Sequence, residues 1–407
     1  MTAERTLAIV GASLAGAKAA EGARTAGYED RIVLIGDESV LPYERPPLSK
    51  AVLRGEADPT TARVHPDEFY AAHDIELVTD TVTGLDADRR VLRLARRQSL
   101  PFDTAVLATG AAPRPLAVPG GALGSVHYLR TEDDSLRLHD AIRRAGRVAV
   151  VGAGWIGSEV AASARQMGAD VVLIEPAPTP LHRVLGATLG RVFAQLHADH
   201  GVILRLGTGV RELRGTSAVQ EVVLDDGRVE PADVVVAGVG VMPRAGLAAD
   251  AGLAVDNGVV VDLHLETTAS GIYAAGDIAN AWHPHYGRHL RVEHWANALH
   301  QGFTAGGNAA GRHDPFDRLP YFFSDQYDLG MEYVGYNDAT DALVLRGDLE
   351  GRRFVAFWHH DGVVTAAMHV NVWGVTEDLK AIVASRTAVD VGRLADPDVA
   401  LPELVGT

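Results

Sequence analysis

The sequence contains no cysteine in 407 residues. This absence excludes a disulfide, a thiolate nucleophile, a cysteine-liganded zinc site and a cysteine-held iron–sulfur cluster. It fits a reducing compartment, so we expect a cytoplasmic protein. No run approaches the ~18 apolar residues that a membrane-spanning helix needs. The apolar stretch from Leu7 to Ala20 follows Glu4 and contains Lys18, which argues against a secretory signal peptide.

Basic residues are fewer than acidic residues, and lysine in particular is rare. Lysine and arginine total 37 against 53 acidic residues, and the net charge of −16 argues against broad non-specific binding of nucleic acid. Lysine occurs only at Lys18, Lys50 and Lys380. A content of 47% apolar and 22% charged residues is typical of globular proteins and excludes wholesale disorder. At ~150 residues per domain, the length predicts two or three domains.

One pattern occurs twice, at an offset of 141 residues. An apolar strand (6–10, then 147–151) runs into a glycine turn, Gly-Ala-Ser-Leu-Ala-Gly at 11–16 and Gly-Ala-Gly-Trp-Ile-Gly at 152–157. An alanine-rich helix and a second apolar strand (32–35, then 171–174) follow each turn. Further short apolar strands end in small residues at 104–110, 234–240 and 272–276. The chain therefore resembles two Rossmann-like units.

A glycine turn that opens a helix lets backbone N–H groups and the positive helix end meet a pyrophosphate. Each turn alone could be a tight packing turn between strand and helix, but two in the same context favour binding. We therefore expect two dinucleotides. At the first turn, Ser13 replaces the middle glycine, which narrows the conformational freedom of the turn without blocking it.

Acidic residues after the second strand of each unit distinguish the two sites. Glu175 lies 23 residues after Gly152, where a carboxylate accepts from a ribose 2′-hydroxyl. The next three residues carry no arginine for a 2′-phosphate, although Arg183 follows. NADH is thus favoured over NADPH at the second site. At the first site, Asp37 is our choice for the ribose contact.

The string Tyr-Glu-Arg-Pro-Pro-Leu-Ser-Lys at 43–50 predicts a rigid loop. The prolines are expected to hold Arg45 and Pro46 extended, and Pro47 is expected to open a helix that carries Lys50. Such a loop can hold one cation at a fixed place, whereas the alternative is a surface turn with a solvated lysine. At 275–277, Ala-Gly-Asp ends a strand, and Asp277 is either a ligand for sugar hydroxyls or a helix cap.

From about Asp317 the sequence changes character. Aromatic residues cluster at 321–336, and β-like runs follow at 343–346, 353–358 and 363–370. We expect a separate C-terminal α+β domain. The predicted boundaries are a discontinuous dinucleotide-binding domain at 1–110 and 242–316, an NADH-binding domain at 111–241 and a C-terminal domain at 317–407. The fold class is α/β with two Rossmann-like domains plus this module.

With these motifs, the chain resembles the oxygenase-coupled, NADH-dependent ferredoxin reductases of the putidaredoxin-reductase type. These belong to the two-dinucleotide flavoproteins of the glutathione-reductase class. The resemblance covers essentially the whole chain. Its most specific segments are 43–50, 152–159, Tyr-Ala-Ala-Gly-Asp at 273–277 and Val-Glu-His-Trp at 292–295. The segment Tyr-Phe-Phe-Ser-Asp-Gln-Tyr at 321–327 resembles the start of the family's C-terminal domain.

The resemblance implies FAD at the first site and NADH at the second. Positions that match FAD-binding positions of the family are Gly11, Ser13, Gly16, Arg45, Lys50, Thr109, Gly110, Asp277 and Trp295. Positions that match NADH-binding positions are Gly154, Ile156, Gly157, Glu175, Arg183, Gly238, Val239 and Gly240. Further cofactor-binding positions are expected at Leu14, Ala15, Asp37, Val82, Ala108, Arg130, Gly276, Glu293 and His294.

Three residues gain a catalytic role from the resemblance. Lys50 is expected close to flavin N5 and paired with Glu159, so that a fixed charge lies beside the atom that accepts hydride. Trp295 is expected to flank the isoalloxazine at a helix start. Without the resemblance, Glu159 could equally be a partner in a surface salt bridge, Trp295 could equally be a core tryptophan, and Arg183 could equally be a solvated arginine.

The implied function is transfer of electrons from NADH through FAD, one at a time, to a 2Fe–2S ferredoxin that serves an oxygenase such as a cytochrome P450. This chemistry needs no protein nucleophile, so the lack of cysteine is no obstacle. The lack of cysteine does exclude the redox-active disulfide that thioredoxin and glutathione reductases use. An acidic ferredoxin needs a local positive patch, for which Arg63, Arg288 and Arg291 are candidates.

Two other functions stay open at this point. One is an NADH-dependent reductase of rubredoxin or of a small-molecule acceptor, and the other is a flavin-bearing sensor that binds NADH without useful turnover. His294 is either a general acid or a hydrogen-bonded histidine at a helix start. The pairs His283/His285 and His359/His360 lack a carboxylate cluster, so we expect no metal site.

Overall fold

The computed structural model describes residues 5–405 and divides into two compact units. The first unit consists of Met1–Glu44, Thr60–Ala112 and Met242–Pro320. The second unit consists of Arg45–Pro59, Pro113–Val241 and Tyr321–Thr407. Each unit has its own apolar core, around Ile9 and Leu34 in the first and around Val150 and Leu173 in the second.

The strands are, in chain order, β1 (Thr6–Val10), β2 (Arg31–Gly36), β3 (Ile75–Thr79), β4 (Val82–Asp86), β5 (Val91–Leu94), β6 (Leu100–Pro101), β7 (Thr104–Leu107), β8 (Ala111–Pro113), β9 (Val126–His127), β10 (Arg147–Val151), β11 (Asp170–Glu175), β12 (Ile203–Leu206), β13 (Val210–Gly215), β14 (Val219–Leu224), β15 (Val229–Pro231), β16 (Val234–Ala237), β17 (Val241–Pro243), β18 (Val259–Val261), β19 (Ile272–Ala274), β20 (Ala279–His283), β21 (Arg288–Arg291), β22 (Tyr321–Gln326), β23 (Leu329–Gly335), β24 (Ala342–Asp348), β25 (Arg353–His360) and β26 (Val363–Val370).

The α-helices are α1 (Leu14–Thr25), α2 (Ala51–Arg54), α3 (Phe69–Ala72), α4 (Glu132–Arg144), α5 (Trp155–Gln166), α6 (His182–Asp199, interrupted at Gly186), α7 (Gly246–Asp250), α8 (Trp295–Ala309), α9 (Thr376–Ser385) and α10 (Val391–Ala395). Short 3₁₀ turns occupy Pro46–Ser49, Pro59–Ala62, Gly276–Ile278 and Leu401–Leu404.

The main sheet of the first unit is a doubly wound parallel sheet. Its strand order is β19-β7-β1-β2-β3, and every neighbouring pair is parallel. The central strands are apolar throughout because both faces are covered. The chain moves to one side of β1 through β2 and β3, and to the other side through β7 and β19. The carboxyl ends of β1 and β7 therefore mark the switch point at which such sheets bind ligands.

Helices α1 and α8 pack backbone to backbone in the first unit. A Cβ atom built on Gly302 would lie 2.3 Å from the carbonyl oxygen of Ala15, and one on Gly306 would lie 1.8 Å from that of Ala19. Only glycine permits this approach, because any side chain at these positions would collide with the facing backbone. The two helices thus run side by side from the edge of the sheet where β1 and β7 end.

The second unit repeats this plan. Its main sheet has the order β12-β11-β10-β16-β9, again all parallel, with β10 pairing with β11 on one side and β16 on the other. The predicted duplication and the α/β class with two Rossmann-like sheets are confirmed. Strands β7, β16 and β19 begin where the sequence predicts but end two or three residues earlier than expected. Each ends before a glycine with positive φ, namely Gly110, Gly240 and Gly276.

The C-terminal part of the second unit is an antiparallel sheet of order β22-β23-β26-β25-β24. Its apolar face, with Phe354 and Met368, packs with Leu189 and Phe193 of α6. Helix α9 lies against β26 and β23. The three β-like runs expected here are strands β24, β25 and β26, and β26 has the expected bounds.

The loop at 43–50 differs from its prediction. Arg45 has helical angles (φ −84°, ψ −28°) instead of extended ones, because it caps the 3₁₀ turn that Pro46 opens. Lys50 lies outside both adjoining helices with φ −123° and ψ −114°, between that turn and α2. A proline fits the first positions of a short helix, and this fit outweighs the usual bias of the preceding residue toward extended angles.

The predicted domain boundaries stay a prediction. Residues 45–59, which the sequence interpretation assigns to the FAD-binding domain, belong to the second unit. They contribute Leu53 to its core, together with Leu138 and Ile142.

One buried histidine predicts an acid sensitivity of the second unit. Burial lowers the pKa of His197 to about 4, and side-chain hydrogen bonding to Gln326 raises it by a smaller amount. The unfolded chain takes up this proton near pH 6.5, but the folded unit resists it until about pH 4. Stability is therefore expected to fall by about 3 kcal/mol as the pH drops through this window. His197→Phe should reduce the loss, measured by denaturant unfolding at pH 7 and pH 4.5. An equal loss in both proteins would contradict the assignment.

Candidate functional site

In the first unit, the expected residues converge where β1, β7 and β19 end. Gly11 follows β1 with φ +115°, and a Cβ atom there would lie 2.2 Å from the carbonyl oxygen of Ala108. A Cβ atom on Gly16 would lie 1.9 Å from the carbonyl oxygen of Gly11. Ser13 caps α1, and among the described residues its side chain makes no capping hydrogen bond. Leu14 and Ala15 form the buried first turn.

This turn fits a pyrophosphate. A helix start packed this closely on the strand end presents main-chain N–H groups and a positive dipole at one edge of the sheet. Gly276 (φ +79°) closes the same edge, because a Cβ atom there would lie 3.0 Å from the Ala15 methyl carbon. Its N–H donates to Gln301 Oε1 at 2.9 Å.

The remaining residues of the first unit lie on loops after the strands. Ala108, Thr109 and Gly110 follow β7, and the Thr109 hydroxyl donates to the Arg244 carbonyl at 2.9 Å. Asp37 follows β2, exposed, with its carboxylate 3.7 Å from Arg244 Nη1. Val82 lies three residues after the carboxyl end of β3, as the first residue of β4 in a three-stranded antiparallel sheet.

The segment around Asp277 is held by Arg291. The Arg291 guanidinium donates to the Asp277 carbonyl at 3.2 Å and pairs with Glu293. The Arg291 side chain is only 11% exposed. It is therefore a poorer candidate for a docking cation than the sequence alone indicates.

Trp295 is the first residue of α8, and His294 is its N-cap. The Trp295 indole interacts with the carboxylate of Glu44, whose pKa it lowers by hydrogen bonding. Burial raises the pKa of Glu44, and this hydrogen bond and the charge of Lys18 partly offset the rise. Burial lowers the pKa of His294 to about 4, so the imidazole is neutral at pH 7. A neutral imidazole is a poor general acid at this pH, and among the described residues the side chain of His294 makes no capping hydrogen bond to α8.

In the second unit, the glycine turn has two kinds of glycine. A Cβ atom on Gly157 would lie 1.9 Å from the carbonyl oxygen of Gly152, and one on Gly152 would lie 2.3 Å from that of Gly238. Gly154, the N-cap of α5, has an ordinary φ of −74°, and no atom of the described residues lies within 4 Å of its built Cβ. The fold thus requires glycine at 152 and 157 but leaves open space at 154. A dinucleotide backbone fits that space.

Glu175 ends β11 and faces this turn. Its carboxylate accepts from the N–H of Ala153 at 2.8 Å and from that of Ala177 at 2.9 Å. These bonds fix the carboxylate beside the turn, where a ribose 2′-hydroxyl could donate to it. Gly238, Val239 and Gly240 follow β16, the neighbour of β10. Ile156 is 47% exposed on α5, and Arg183 is exposed on α6.

The structure pairs Lys50 with Glu159, as the resemblance implies. Lys50 Nζ lies 2.9 Å from Glu159 Oε2, and the Glu159 side chain is 5% exposed. The same oxygen accepts from Ser49 Oγ at 2.5 Å, and Oε1 accepts from Ser324 Oγ at 2.8 Å. Arg45 donates to the carbonyl of Arg130 in the same unit.

Sequence reasoning missed three residues that contact the expected ones: Ser49, Ser324 and Glu44. Ser49 and Glu44 belong to the string at 43–50, and Ser324 belongs to the string at 321–327, so both segments were noticed. Nothing in the spacing shows that a serine 165 positions from Glu159 bonds to it.

Two negative observations hold for residues 5–405. None of their helices combines the length and the hydrophobicity that a bilayer crossing requires. Nor do they bring three or more His, Cys, Asp or Glu side chains into a cluster that could hold a metal ion.

Comparison with known proteins now decides the family. Residues 5–302 match the model of the family described as pyridine nucleotide-disulphide oxidoreductase, and residues 321–405 match the family described as reductase C-terminal. The chain belongs to the pyridine nucleotide-disulphide oxidoreductase family. Members that it resembles along their whole length are ferredoxin reductases, which confirms the expected resemblance.

Two curated relatives and one crystal structure illustrate the similarity. The putidaredoxin reductase of Pseudomonas putida is 36% identical over 100% of this chain and 98% of its own. The ferredoxin–NAD(+) reductase component of the anthranilate 1,2-dioxygenase system of Burkholderia cepacia is 38% identical over 97% of each chain. The covalent putidaredoxin reductase–putidaredoxin complex contains a chain that is 36% identical, with a TM-score of 0.95 over 98% of each chain.

Membership confirms the two expected cofactors, because this family uses FAD and NAD(H). Membership also gives the absence of cysteine a consequence for the chemistry of this chain. The family name includes disulphide chemistry, but a chain without cysteine cannot form or reduce a disulfide of its own. This member of the family therefore has no cysteine pair of its own through which electrons could pass.

The open space at Gly154 predicts a selective effect on NADH. We expect Gly154→Ala to fold normally and to raise the apparent Kd for NADH about tenfold, because the added methyl occupies space meant for the dinucleotide. Gly246→Ala is a matched control, since Gly246 also has an ordinary φ and an open Cβ position. NADH titration and thermal melting of both variants check this. Unchanged NADH affinity in Gly154→Ala would contradict a dinucleotide at this turn.

Proposed function

We propose that this protein is an FAD-dependent NADH:ferredoxin oxidoreductase that delivers electrons singly to a 2Fe–2S ferredoxin, and that the ferredoxin serves an oxygenase. The observation that supports this most is the match along the whole chain. Both the dinucleotide-binding part and the C-terminal part resemble those of ferredoxin reductases from oxygenase systems.

The chain supplies binding and positioning for this reaction. When bound, FAD supplies the conversion of a two-electron donor to one-electron delivery. We assign the FAD pyrophosphate to the turn of Gly11, Ser13 and Gly16, and the NADH pyrophosphate to the turn of Gly152, Gly154 and Gly157. Glu175 holds the NADH ribose, and the absence of an adjacent arginine favours NADH over NADPH.

We assign a charged pair of the second unit to the hydride step. Lys50 is the cation, and Glu159 fixes its position from α5. Because a positive charge favours an acceptor that gains electrons, a fixed ammonium group would promote hydride transfer. This role for Lys50 and Glu159, and that of Trp295, are proposals that rest on the resemblance.

The partner is proposed from the relatives. The putidaredoxin complex joins a reductase 36% identical to this chain to its iron–sulfur partner. Since this chain carries a net charge of −16, an acidic ferredoxin needs a local basic surface, for which Arg63 and Arg288 remain candidates in the first unit. We propose the cytoplasm as its location, because NADH is supplied there.

The test is reduction of cytochrome c by NADH, with and without an added 2Fe–2S ferredoxin, on protein shown to contain FAD. A large rate increase that requires ferredoxin would support the proposal. Rapid consumption of NADH that no ferredoxin changes would instead identify a reductase of rubredoxin, of a small molecule or of oxygen. Slow flavin reduction with an NADH-dependent change of oligomeric state would identify a sensor.

A further inference from the structure

The carboxylate of Glu159 is more closely held than an ion pair with Lys50 alone requires. Each of its oxygens has a hydroxyl donor: Oε2 accepts from Ser49 at 2.5 Å and Oε1 accepts from Ser324 at 2.8 Å. A carboxylate that is 5% exposed must have its oxygens hydrogen-bonded, because few water molecules reach it. Lys50 satisfies only one oxygen.

Ser324 is the donor to the second oxygen. It lies on β22, opposite Met331 of β23, and is 1% exposed. Its oxygen accepts from Gln326 Nε2 at 3.4 Å, so its one proton is available to Glu159. The strand that carries Ser324 is an edge strand that pairs with β23 along its whole length, and the sheet packs on α6.

The neighbour of Ser324 is a competing carboxyl group. Burial raises the pKa of Asp325, and so do Glu159 and Glu332, whereas Lys50 lowers it. Lys50 therefore lies within electrostatic range of a second carboxyl group, Asp325, besides its ion-pair partner Glu159. The hydroxyl of Ser324 holds Glu159.

We propose that Ser324 is a positioning residue for hydride transfer: its hydrogen bond to Glu159 Oε1 fixes the Lys50–Glu159 pair, so that the C-terminal sheet takes part in the reduction of the flavin by NADH. This inference rests on the proposed function, which gives the pair its role.

The test compares Ser324→Thr with Ser324→Val, which have nearly the same shape and differ in the hydroxyl. The strand accommodates both β-branched residues. In anaerobic stopped-flow experiments, flavin reduction by NADH should be about tenfold slower in Ser324→Val, whereas Ser324→Thr should stay close to wild type. Ser135→Ala is a control for the loss of a buried hydroxyl, since Ser135 bonds to the Leu48 carbonyl instead.

A second readout does not depend on turnover. The chain has only three lysines, so mass spectrometry after brief acetylation reports Lys50 directly against Lys380 as an internal reference. Acetylation of Lys50 relative to Lys380 should rise about threefold in Ser324→Val because its partner is no longer fixed, and should stay unchanged in Ser324→Thr.

The outcomes separate this inference from the proposed function. Equal reduction rates and equal Lys50 labelling in the valine and threonine variants would overturn the role of Ser324. If NADH does not reduce even the wild-type flavin, the proposed function fails, while the labelling still shows whether Ser324 fixes the pair. If Ser324→Val does not fold, Ser324→Ala and Ser49→Ala remove the donors one at a time without added bulk, and unchanged labelling in both would overturn the inference.

Discussion

Replacing Gly11 with alanine is expected to remove FAD from the protein and to destabilise the first unit by about 3 kcal/mol or more. The methyl group would lie 2.2 Å from the Ala108 carbonyl oxygen, and φ of +115° is unfavourable for alanine. To relieve this overlap, either β1 and β7 must move apart or the glycine turn must change its shape. The measurement is the ratio of flavin to protein absorbance after purification, together with the thermal unfolding temperature.

Gly27→Ala is the matched control for this substitution. Gly27 also has a positive φ, +85°, but no atom of the described residues lies within 4 Å of its built Cβ. It follows α1 in the same unit. Backbone strain alone should therefore cost some stability in Gly27→Ala but leave the flavin content unchanged. If both variants retain FAD equally, the close approach of Gly11 to Ala108 is not needed for the site.

Replacing Glu159 with glutamine is expected to slow flavin reduction by NADH about 100-fold. The substitution preserves the shape of the side chain but leaves the Lys50 ammonium group without its counter-charge in a largely buried place. Flavin content should stay normal, because Glu159 belongs to the second unit, whereas the turn at Gly11 that we assign to FAD belongs to the first. Anaerobic stopped-flow absorbance of the flavin measures the rate.

The control makes the same chemical change at another buried ion pair of the second unit. Glu230 is 8% exposed, and its carboxylate lies 2.5 Å from Arg205 Nε. Glu230→Gln should lose a comparable amount of stability but reduce its flavin within about twofold of wild type. A similar slowing in both variants would show that Glu159 acts on stability alone.

These two predictions also separate binding from chemistry. Loss of FAD in Gly11→Ala would support the proposal that this glycine turn holds the cofactor, whereas slow reduction in Glu159→Gln would support the proposal that the charge pair acts after binding. If Glu159→Gln also lost its FAD, the pair would have a role in assembling the site.

The glycine turns could be read from the sequence because the requirement is local. A positive φ or a strand end within van der Waals contact of a helix start leaves glycine as the only residue that fits. Gly11, Gly152 and Gly157 all meet such a requirement. The parallel sheets follow from the apolar strands in the same way, since strands covered on both faces are apolar throughout.

The proline loop shows where local reasoning was insufficient. Arg45 and Pro46 were expected to be extended and Lys50 to lie on a helix opened by Pro47. In the structure Arg45 has helical angles, Pro46 opens the 3₁₀ turn, and Lys50 lies outside both adjoining helices. The loop is shaped by Leu53 in the core of the second unit and by the bonds of Ser49 and Lys50 to Glu159. These contacts come from residues about 80 to 110 positions away, and together they outweigh a local bias of roughly 1 kcal/mol.

The sequence by itself determined the two Rossmann-like units, the glycine turns and the family, and it predicts Glu175 as the acidic residue of the NADH site. Each depends on residues close together in the chain, or on strings specific enough to identify relatives. Only the tertiary structure decided which donors surround Glu159. Ser49 and Ser324 are ordinary serines in the sequence, and they become partners of one carboxylate because the sheet at 321–370 and the loop at 45–50 pack on α5. Such hydrogen bonds are set by the packing of distant segments, which no spacing in the chain encodes.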